Sequence, residues 1–271
     1  MSGSHGSSAA QTPVSPSGLM LIDKPLRRTS MDVCRWVRRR LVLGGAPKRV
    51  KVGHAGTLDP LATGLLVVLV GKATRLCDSL MLGSKTYIAD VDLSAFTTTD
   101  DAEGPRQEVA VSTPPTTERI SAALPAFIGT IMQRPPAYSA IKVQGQRAYD
   151  LARDAARAAD ESGNTPPEHA ALPVLPARPV RIDAIEIIEY RWPLLVLRID
   201  SGKGVYIRSL ARDLGEALGT GGSLLALRRT RIAPFDVSNA VALDALPPVL
   251  TQADLLPIPG PPAGGPNPVA S

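Results

Sequence analysis

The sequence predicts an α+β fold, and three observations support this class. Apolar or alternating segments typical of strands are mixed with helical patterns, and they do not follow a regular strand–helix–strand alternation. Glycine and proline clusters separate many of these segments. A chain of 271 residues is long enough to bury a substantial core in one large domain or two small ones.

The first half of the chain predicts a strand, a helix, an apolar segment and a second strand. Leu19–Ile22 is apolar and reads as a buried strand, and Ser30 is a suitable N-cap for a helix from Met31 to about Val42. Leu65–Val70 is apolar but too short to assign by periodicity. Tyr87–Ala95 alternates between apolar and polar residues, which predicts a half-buried strand.

The second half begins with a turn cluster at Thr97–Gly104 and then carries several strand patterns. A helix ending near Leu218 is also predicted, because Gly219 is a typical C-terminal stop. The predicted strands are Val180–Tyr190, Leu194–Asp200, Val205–Ile207 and Leu224–Ile232.

Three segments are predicted to lie outside the folded domain. Residues 1–17 are rich in Ser, Gly and Pro, which favours a disordered tail. Residues 155–173 are low in complexity and mildly acidic, which is typical of a surface insertion. Residues 247–271 form a second tail rich in Pro and Gly, so the folded domain is expected to span residues 18–246.

Positive charge is concentrated in one part of the chain. The formal net charge is +5, yet residues 24–51 contain ten Lys and Arg against one acid, Asp32. A basic run can be only a solvated helix face. Beside a candidate site, however, this density favours a polyanionic partner, most plausibly nucleic acid.

Other side chains narrow the class of protein. Cys34 and Cys77 both adjoin apolar segments and are expected to be buried thiols rather than a disulfide. The three histidines, His5, His54 and His169, are too few and too scattered for a zinc site. No apolar stretch reaches membrane-spanning length, and the first 23 residues contain no Lys or Arg, which argues against a targeting peptide. The sequence predicts a cytoplasmic protein.

The segment Gly53–Gly64 is the most informative in the chain. It places one carboxylate, Asp59, in a short loop of Gly, Pro and Thr, and Pro60 keeps Asp59 out of helical geometry. An isolated Asp-Pro is usually a simple turn in which the Asp bonds the backbone. The glycine density, His54 and the basic run before it favour a functional site instead.

Two other catalytic motifs find no support in the sequence. A phosphate-binding loop does not fit, because six apolar-rich residues separate Gly64 from Gly71 and Lys72 is followed by Ala73. A Ser/His/Asp hydrolase is not supported, since no Gly-x-Ser-x-Gly motif is present.

Six segments together resemble the bacterial tRNA pseudouridine synthase B (TruB) family. They occur in the order of the family and cover most of residues 18–246. The segments are Leu21–Pro25, Gly53–Gly64, Arg134–Lys142, Arg147–Arg153, Gly202–Arg208 and Leu227–Arg231.

The resemblance implies a pseudouridine synthase fold, in which helices and loops flank a mixed, largely antiparallel β-sheet with an RNA-binding thumb insertion. The implied activity is that of an isomerase that converts the T-loop uridine at position 55 of tRNA to pseudouridine. Asp59 matches the catalytic nucleophile and Tyr87 the tyrosine that stacks on a flipped-out target base. Arg208 matches the arginine that pairs with the aspartate.

Further residues match binding positions of the family. Tyr206 matches the tyrosine that lines the pocket and Leu227 the apolar residue that closes it. His54 matches the histidine that fills the space left by flipped bases. The remaining implied RNA-binding residues are Lys24, Lys142, Arg147 and Arg229, of which Lys142 and Arg147 lie in the expected thumb at about residues 134–153.

The chain departs from the family pattern at Leu26–Arg28, in the insertion at 155–173, and in lacking the RNA-binding PUA-type domain that many members carry at the C-terminus. The resemblance implies no metal and no cofactor, and a monomer that binds the tRNA T-arm without a protein partner. Two alternatives stay open. One is a tRNA-binding or folding chaperone without catalysis, and the other is a pseudouridine synthase that acts on another RNA.

Overall fold

The structure is a computed structural model that describes residues 15–138, 142–143, 146–147 and 175–258. For residues 142–143 and 146–147 it describes the backbone only. The predicted insertion at 155–173 lies outside the described residues. So do parts of the predicted tails at 1–17 and 247–271 and of the thumb segment.

The described residues contain fourteen strands and four α-helices. The strands are β1 (Gly18–Lys24), β2 (Val52–His54), β3 (Ala62–Val70), β4 (Lys85–Asp92), β5 (Ala95–Thr97), β6 (Arg106–Glu108), β7 (Gly129–Gln133), β8 (Lys142–Val143), β9 (Gln146–Arg147), β10 (Arg178–Arg191), β11 (Leu194–Ser201), β12 (Ser223–Ile232), β13 (Phe235–Asp236) and β14 (Val241–Ala242). The helices are α1 (Ser30–Leu43), α2 (Cys77–Leu82), α3 (Thr117–Ala123) and α4 (Ile207–Leu218).

The chain divides into two compact units. The first is built from residues 1–60, 66–81 and 239–271, as far as they are described, and the second from 61–65 and 82–238. In the first unit β14 runs parallel to β1, and β2 runs antiparallel to the end of β3. Helix α1 covers these strands with its apolar face. The core that results includes Met20, Ile22, Val33, Val37, Leu41, Leu66, Val68 and Leu250.

Helix α1 begins one residue earlier than the sequence predicts. Thr29, not Ser30, is the N-cap, because its hydroxyl accepts a hydrogen bond from the backbone N–H of Asp32 at 3.0 Å. The Asp32 carboxylate in turn accepts from the Thr29 backbone N–H at 3.1 Å, which completes a capping box. These hydrogen bonds lower the pKa of Asp32. Ser30 is therefore the first helical residue, and its hydroxyl is available for another contact.

The second unit is a mostly antiparallel sheet. Its strands follow the order β3, β12, β4, β11, β10, β7, and β12 is parallel to β3 and antiparallel to β4. Strand β11 pairs with both β4 and β10 along most of its length. The pairs β5–β6 and β8–β9 are separate two-stranded ribbons. The predicted α+β class with a largely antiparallel sheet is therefore confirmed.

Helix α4 lies in the second unit and replaces one predicted strand. The segment Val205–Ile207 does not form a strand, because Tyr206 is already the N-cap and Ile207 the first helical residue. The helix ends where predicted, at Gly219, whose φ of 66° lies in the left-handed region that glycine adopts without strain. Leu210, Leu214 and Leu218 are buried on its inner face.

We expect Thr29→Ala to lower the free energy of unfolding by about 1 kcal/mol at neutral pH, since it removes an N-cap. Because the folded-state pKa of Asp32 is lowered, the stabilisation is present at neutral pH and declines as the pH falls through that pKa. Urea denaturation at pH 7 and pH 3 measures both effects. Thr29→Ser keeps the hydroxyl and serves as the control; an equal destabilisation of the Ala and Ser variants would contradict the capping role.

Candidate functional site

The loop that carries Asp59 joins β2 to β3 and is anchored on both sides of the carboxylate. The Ser30 hydroxyl accepts a hydrogen bond from the Leu58 N–H at 2.9 Å and lies 3.1 Å from the Leu58 carbonyl oxygen, to which it donates. The Arg27 N–H donates to the Pro60 carbonyl oxygen at 2.8 Å. The residues directly before and after Asp59 are thus fixed to the start of α1, while Asp59 itself is only half-buried.

Lys24 stabilises the turn that precedes α1 and contacts the Asp59 loop. It is fully buried, and its Nζ donates to the carbonyl oxygens of Pro25 at 3.0 Å and Arg28 at 2.6 Å. These contacts fix the turn that contains Arg27. The expectation that Lys24 contacts RNA does not fit its complete burial, because desolvating an ammonium for internal carbonyls leaves no exposed charge for a phosphate. Its visible role is to shape the turn that holds the Asp59 loop.

His54 is the last residue of β2 and lies in the same unit as Asp59. Its side chain is half-buried, and its carbonyl oxygen accepts a contact from the Cys77 thiol at 3.4 Å. Cys34 is fully buried, whereas Cys77 is only half-buried. Burial raises the pKa of both thiols, to about 11 for Cys34, so neither is an activated nucleophile.

In the second unit, the sheet brings together three residues that the sequence assigns to the site. The register of β12 against β4 sets Arg229 opposite Tyr87 and Leu227 opposite Ala89. Tyr87 and Leu227 are each 8% exposed, so each presents only an edge to solvent. A mostly buried aromatic ring and a neighbouring aliphatic side chain form the kind of wall against which a flat base can stack.

Arg229 lies directly opposite Tyr87 on the neighbouring strand and is 1% exposed. Its Nε donates to the Leu65 carbonyl oxygen at 2.9 Å, and its guanidinium is hydrogen-bonded to the Tyr87 side chain. Burial lowers the pKa of Arg229, and the interaction with Tyr87 opposes that effect. The expectation that Arg229 contacts RNA directly does not fit this burial, because its donors are directed at internal groups.

Arg208 projects from the first turn of α4 into a turn rich in Thr and Asp. Its guanidinium forms an ion pair with Asp101 at 3.3 Å and donates to the carbonyl oxygens of Thr99 at 3.2 Å and Tyr138 at 3.1 Å. Asp101 is itself held by the Thr99 hydroxyl at 2.5 Å and by the Glu103 N–H at 3.0 Å. A buried guanidinium with this many fixed partners has a defined position.

One helical turn further along α4, Arg212 forms a second ion pair. It contacts Asp100 at 2.6 Å and Asp213 at 2.8 Å, and it donates to the Arg134 carbonyl oxygen at 3.0 Å. Burial raises the pKa of Asp100 to about 6, and Arg212 and Arg208 oppose this rise. These two ion pairs were not predicted from the sequence, although it contains both the Asp-Asp dipeptide of the turn and the i,i+4 spacing of the two arginines.

Tyr206 precedes α4 and is clamped by one side chain. Its N–H donates to Gln133 Oε1 at 2.8 Å, and Gln133 Nε2 donates to its carbonyl oxygen at 3.1 Å. The Arg178 guanidinium lies 5.2 Å from the centre of the Tyr206 ring. Gln133 was not predicted, and only its position before the Pro-Pro sequence marks it.

Two predicted RNA-binding residues lie in a short antiparallel ribbon. Lys142 in β8 and Arg147 in β9 are paired across it. Only the backbone of these two residues is described, so their contact with RNA stays a prediction. Among the side chains that the structure does describe, no group of three or more His, Cys, Asp or Glu is placed to hold a metal ion. No helix of the described chain is long and apolar enough to cross a membrane.

The fold is that of the pseudouridine synthases. Residues 40–207 match the model of the TruB family pseudouridylate synthase N-terminal domain, and residues 208–254 match the tRNA pseudouridylate synthase B C-terminal domain. The chain therefore belongs to the TruB family.

Curated relatives named tRNA pseudouridine synthase B cover most of the chain. The protein of Gluconacetobacter diazotrophicus is 44% identical over 85% of this chain and 69% of its own length. That of Corynebacterium diphtheriae is 42% identical over 85% and 72%. That of Phocaeicola vulgatus is 39% identical over 88% and 94%.

Solved structures of Cbf5 complexes are also similar to this chain. A chain in a Cbf5-Nop10-Gar1 complex superposes with a TM-score of 0.60 at 28% identity, covering 84% of this chain and 52% of that one. A chain in an archaeal box H/ACA Nop10-Cbf5 complex gives 0.56 at 27% identity, over 84% and 51%. This chain thus spans about half the length of those chains.

We expect Asp100→Asn to change how stability depends on pH. Because the folded-state pKa of Asp100 is raised to about 6, the folded protein binds a proton more tightly than the unfolded chain between about pH 4 and pH 6. The free energy of unfolding of the wild type should therefore fall relative to that of Asp100→Asn as the pH rises from about 4 to about 6. Above about pH 6 the difference between the two proteins should stay constant. Urea denaturation across the range measures this, and Asp244→Asn, at an exposed acid, is the control. A difference that does not vary with pH would contradict it.

Proposed function

We propose that this protein isomerises uridine to pseudouridine in tRNA, at position 55 of the T-loop, with Asp59 as the nucleophile. The observation that carries the proposal is the Gly53–Gly64 loop, whose backbone is fixed on both sides of one half-buried carboxylate. The chain belongs to a family whose curated members across 85–88% of its length are named tRNA pseudouridine synthase B.

The chemistry needs few groups. The bond between C1′ of ribose and N1 of uracil breaks, the base turns, and C1′ joins C5; C5 then loses its proton and N1 gains one. An ionised carboxylate is sufficient as the nucleophile, so no metal or cofactor is required. Attack of Asp59 on C6 of uracil and attack on C1′ of ribose both use the same carboxylate and satisfy the same balance.

The target base has to leave the folded T-loop before it reaches a carboxylate. We assign the Tyr87 ring to stacking on the flipped base, Leu227 to closing the pocket, and Tyr206 to lining it. The pairing of β4 with β12 and the hydrogen bonds of Gln133 to the Tyr206 backbone support these roles, because the backbone that carries each of these side chains is fixed before RNA arrives. Stacking on a preformed surface avoids the entropic cost of ordering it on binding.

Chain connectivity also supports this assignment. Three peptide bonds separate the Cα atoms of Asp59 and Ala62, so these atoms lie within about 11 Å of each other in any conformation. Ala62 pairs with Leu227 in the second unit. Only two residues of the chain therefore separate Asp59 from the first residue of β3, the strand that pairs with β12. That Arg208 pairs with Asp59 during the reaction stays a prediction.

The T-loop as target, a monomeric enzyme and a cytoplasmic location are parts of the same proposal. Both Cbf5 structures contain Nop10, and one of them also contains Gar1, whereas we propose that this chain modifies tRNA without a protein partner. The two alternatives, a non-catalytic tRNA chaperone and a synthase for another RNA, are distinguished by the test that follows.

We expect Asp59→Asn to abolish turnover and to leave RNA binding close to wild type, since the amide keeps the shape but removes the nucleophile. Tritium release from tRNA labelled with [5-³H]uridine measures turnover by the purified chain alone, in EDTA. Filter binding measures affinity, and mass spectrometry maps the modified position.

The outcomes of this test separate the alternatives. Turnover near wild type in Asp59→Asn would contradict the nucleophile. A wild-type chain that binds tRNA without forming pseudouridine would favour the chaperone. Formation of pseudouridine in another RNA, together with no modification of tRNA, would favour a synthase that acts on that other RNA. Asp78→Asn, an exposed acid of α2 in the same unit, is the matched control.

A groove on α1 is the proposed contact for the RNA backbone. It has a volume of about 390 Å³ and is lined by aliphatic stems and Lys and Arg side chains, namely those of Arg35, Arg38, Arg39, Val42, Leu43 and Lys48. Arg40 is not part of it, because its guanidinium lies 3.2 Å from the Trp36 ring centre and donates to the Pro247 carbonyl oxygen at 2.9 Å. The basic run is thus divided between RNA-facing and structural roles.

We expect Arg39→Gln with Lys48→Gln to weaken tRNA binding and to flatten the plot of log K against log salt. Removing one phosphate contact reduces the steepness of this plot by about 0.7–0.9. The apparent KM should rise, while the single-turnover rate at saturating tRNA stays near wild type. Arg191→Gln, an exposed cation at the end of β10, is the control. An unchanged salt slope in the double variant would contradict the assignment.

A further inference from the structure

We infer that Arg229 is a positioning residue, whose buried guanidinium holds the Tyr87 phenol in the orientation that catalysis needs. The inference deepens the proposed function, because it rests on the stacking role proposed there for Tyr87 and adds a role for the Tyr87 hydroxyl, through which Arg229 fixes the ring. Arg229 then acts inside the pocket through Tyr87, whereas the family resemblance predicts that it binds RNA directly.

The contacts of Arg229 define its geometry from two directions. Nε donates to the Leu65 carbonyl oxygen of β3 at 2.9 Å, and the guanidinium is hydrogen-bonded to the Tyr87 side chain on β4. Two neighbouring strands therefore fix one planar group. A guanidinium presents its donors in a rigid fork, so orienting the fork also orients the phenol oxygen that it contacts.

The backbone around Arg229 is shaped to allow this contact. Gly64 of β3 has a φ of 98°, and a Cβ there would lie only 2.3 Å from the Arg229 carbonyl oxygen. Only glycine permits such a close approach of β3 to β12. The register of β12 against β4 also shifts between Arg229 and Arg231, an irregularity of the kind that redirects side chains near functional sites.

The energetic cost of this arrangement argues that it has a purpose. Arg229 is among the largest side chains with less than 2% exposure, and burying a guanidinium costs far more free energy than burying an aliphatic side chain. A Leu or Met would fill the same space without that penalty. What the aliphatic residue would lack is the donor that reaches the Tyr87 oxygen.

A second buried cation, Lys85, lies close to Arg229. It lies two residues before Tyr87 and so on the same face of the strand, and its Nζ donates to the Gly83 carbonyl oxygen at 2.6 Å. Burial, with Arg229 and Lys203 nearby, lowers the pKa of Lys85 to about 8.

The contact with Arg229 fixes the orientation of the Tyr87 hydroxyl and ring. When Arg229 donates to the phenol oxygen, the hydroxyl hydrogen of Tyr87 is turned away from the guanidinium. The ring is also held against rotation about its χ angles, so the stacking surface and the hydroxyl are both preset. A Tyr without this contact would still stack but would present its hydroxyl in many orientations.

The test is a double-mutant cycle of Arg229→Gln and Tyr87→Phe, read as the single-turnover rate at saturating tRNA. Arg229→Gln alone should lower the rate by about 10-fold or more, the scale of coupling between contacting residues, with KM changed less than about 2-fold. In the Tyr87→Phe background the same substitution should have little further effect, because the hydroxyl is already absent. Arg231→Gln, an exposed arginine of the same strand, is the matched control.

Each outcome decides the inference. Equal fold reductions in both backgrounds would overturn it and make Arg229 a purely structural residue. If Arg229→Gln does not fold, Arg229→Lys replaces it in the cycle. This variant keeps the buried charge but not the planar fork of donors. It should lower the rate by a larger factor in the wild-type background than in the Tyr87→Phe background. Equal slowing in the two backgrounds, or none, would again overturn the inference. Failure of the proposed function would appear separately, as turnover in Asp59→Asn.

Discussion

The pairing of β12 with β3 on one side and β4 on the other is the constraint on which the second unit depends. Because side chains alternate along a strand, this pairing sends Leu227 and Arg229 to the same face and sets Arg229 against Tyr87. A slip of one residue would exchange every inward side chain for an outward one. The register is therefore a condition for both the core and the proposed pocket, and Gly64 is what lets the strands come close enough to keep it.

Buried charge is the second organising feature of this unit. Arg208 and Arg212 are spaced one turn apart on α4 and meet Asp101 and Asp100 in a single turn. Replacing such pairs by apolar groups often costs nothing in stability, whereas removing one partner costs much. Their value lies in geometry, because a guanidinium with several fixed partners keeps its orientation. An enzyme that must receive a flipped base benefits from donors that do not reorganise.

Contacts divide the arginines of the first unit into one held by internal partners outside the open groove, one that has an internal partner and also lines the groove, and one that is exposed in the groove. Arg40 packs on Trp36, and Arg38 donates to the Val52 carbonyl oxygen at 3.2 Å while lining the groove. Arg39 is exposed. The sequence shows ten basic residues between positions 24 and 51 but not this division. Charge density alone thus indicates the kind of partner, while the contacts indicate which cations are available to it.

The sequence by itself determined the class of fold, the main strands, the end of α4 at Gly219 and, through its resemblance, the family. These follow from local propensity, alternation and motifs, which are written in neighbouring residues. It placed the N-cap at Ser30 rather than Thr29 and a strand at Val205–Ile207, because the competing partners, Asp32 and Gln133, act through geometry that periodicity does not report. Only the tertiary structure decided that Lys24 and Arg229 are buried and that Asp101 holds Arg208. Burial and ion pairing depend on segments that are distant in the chain, and no local pattern encodes them.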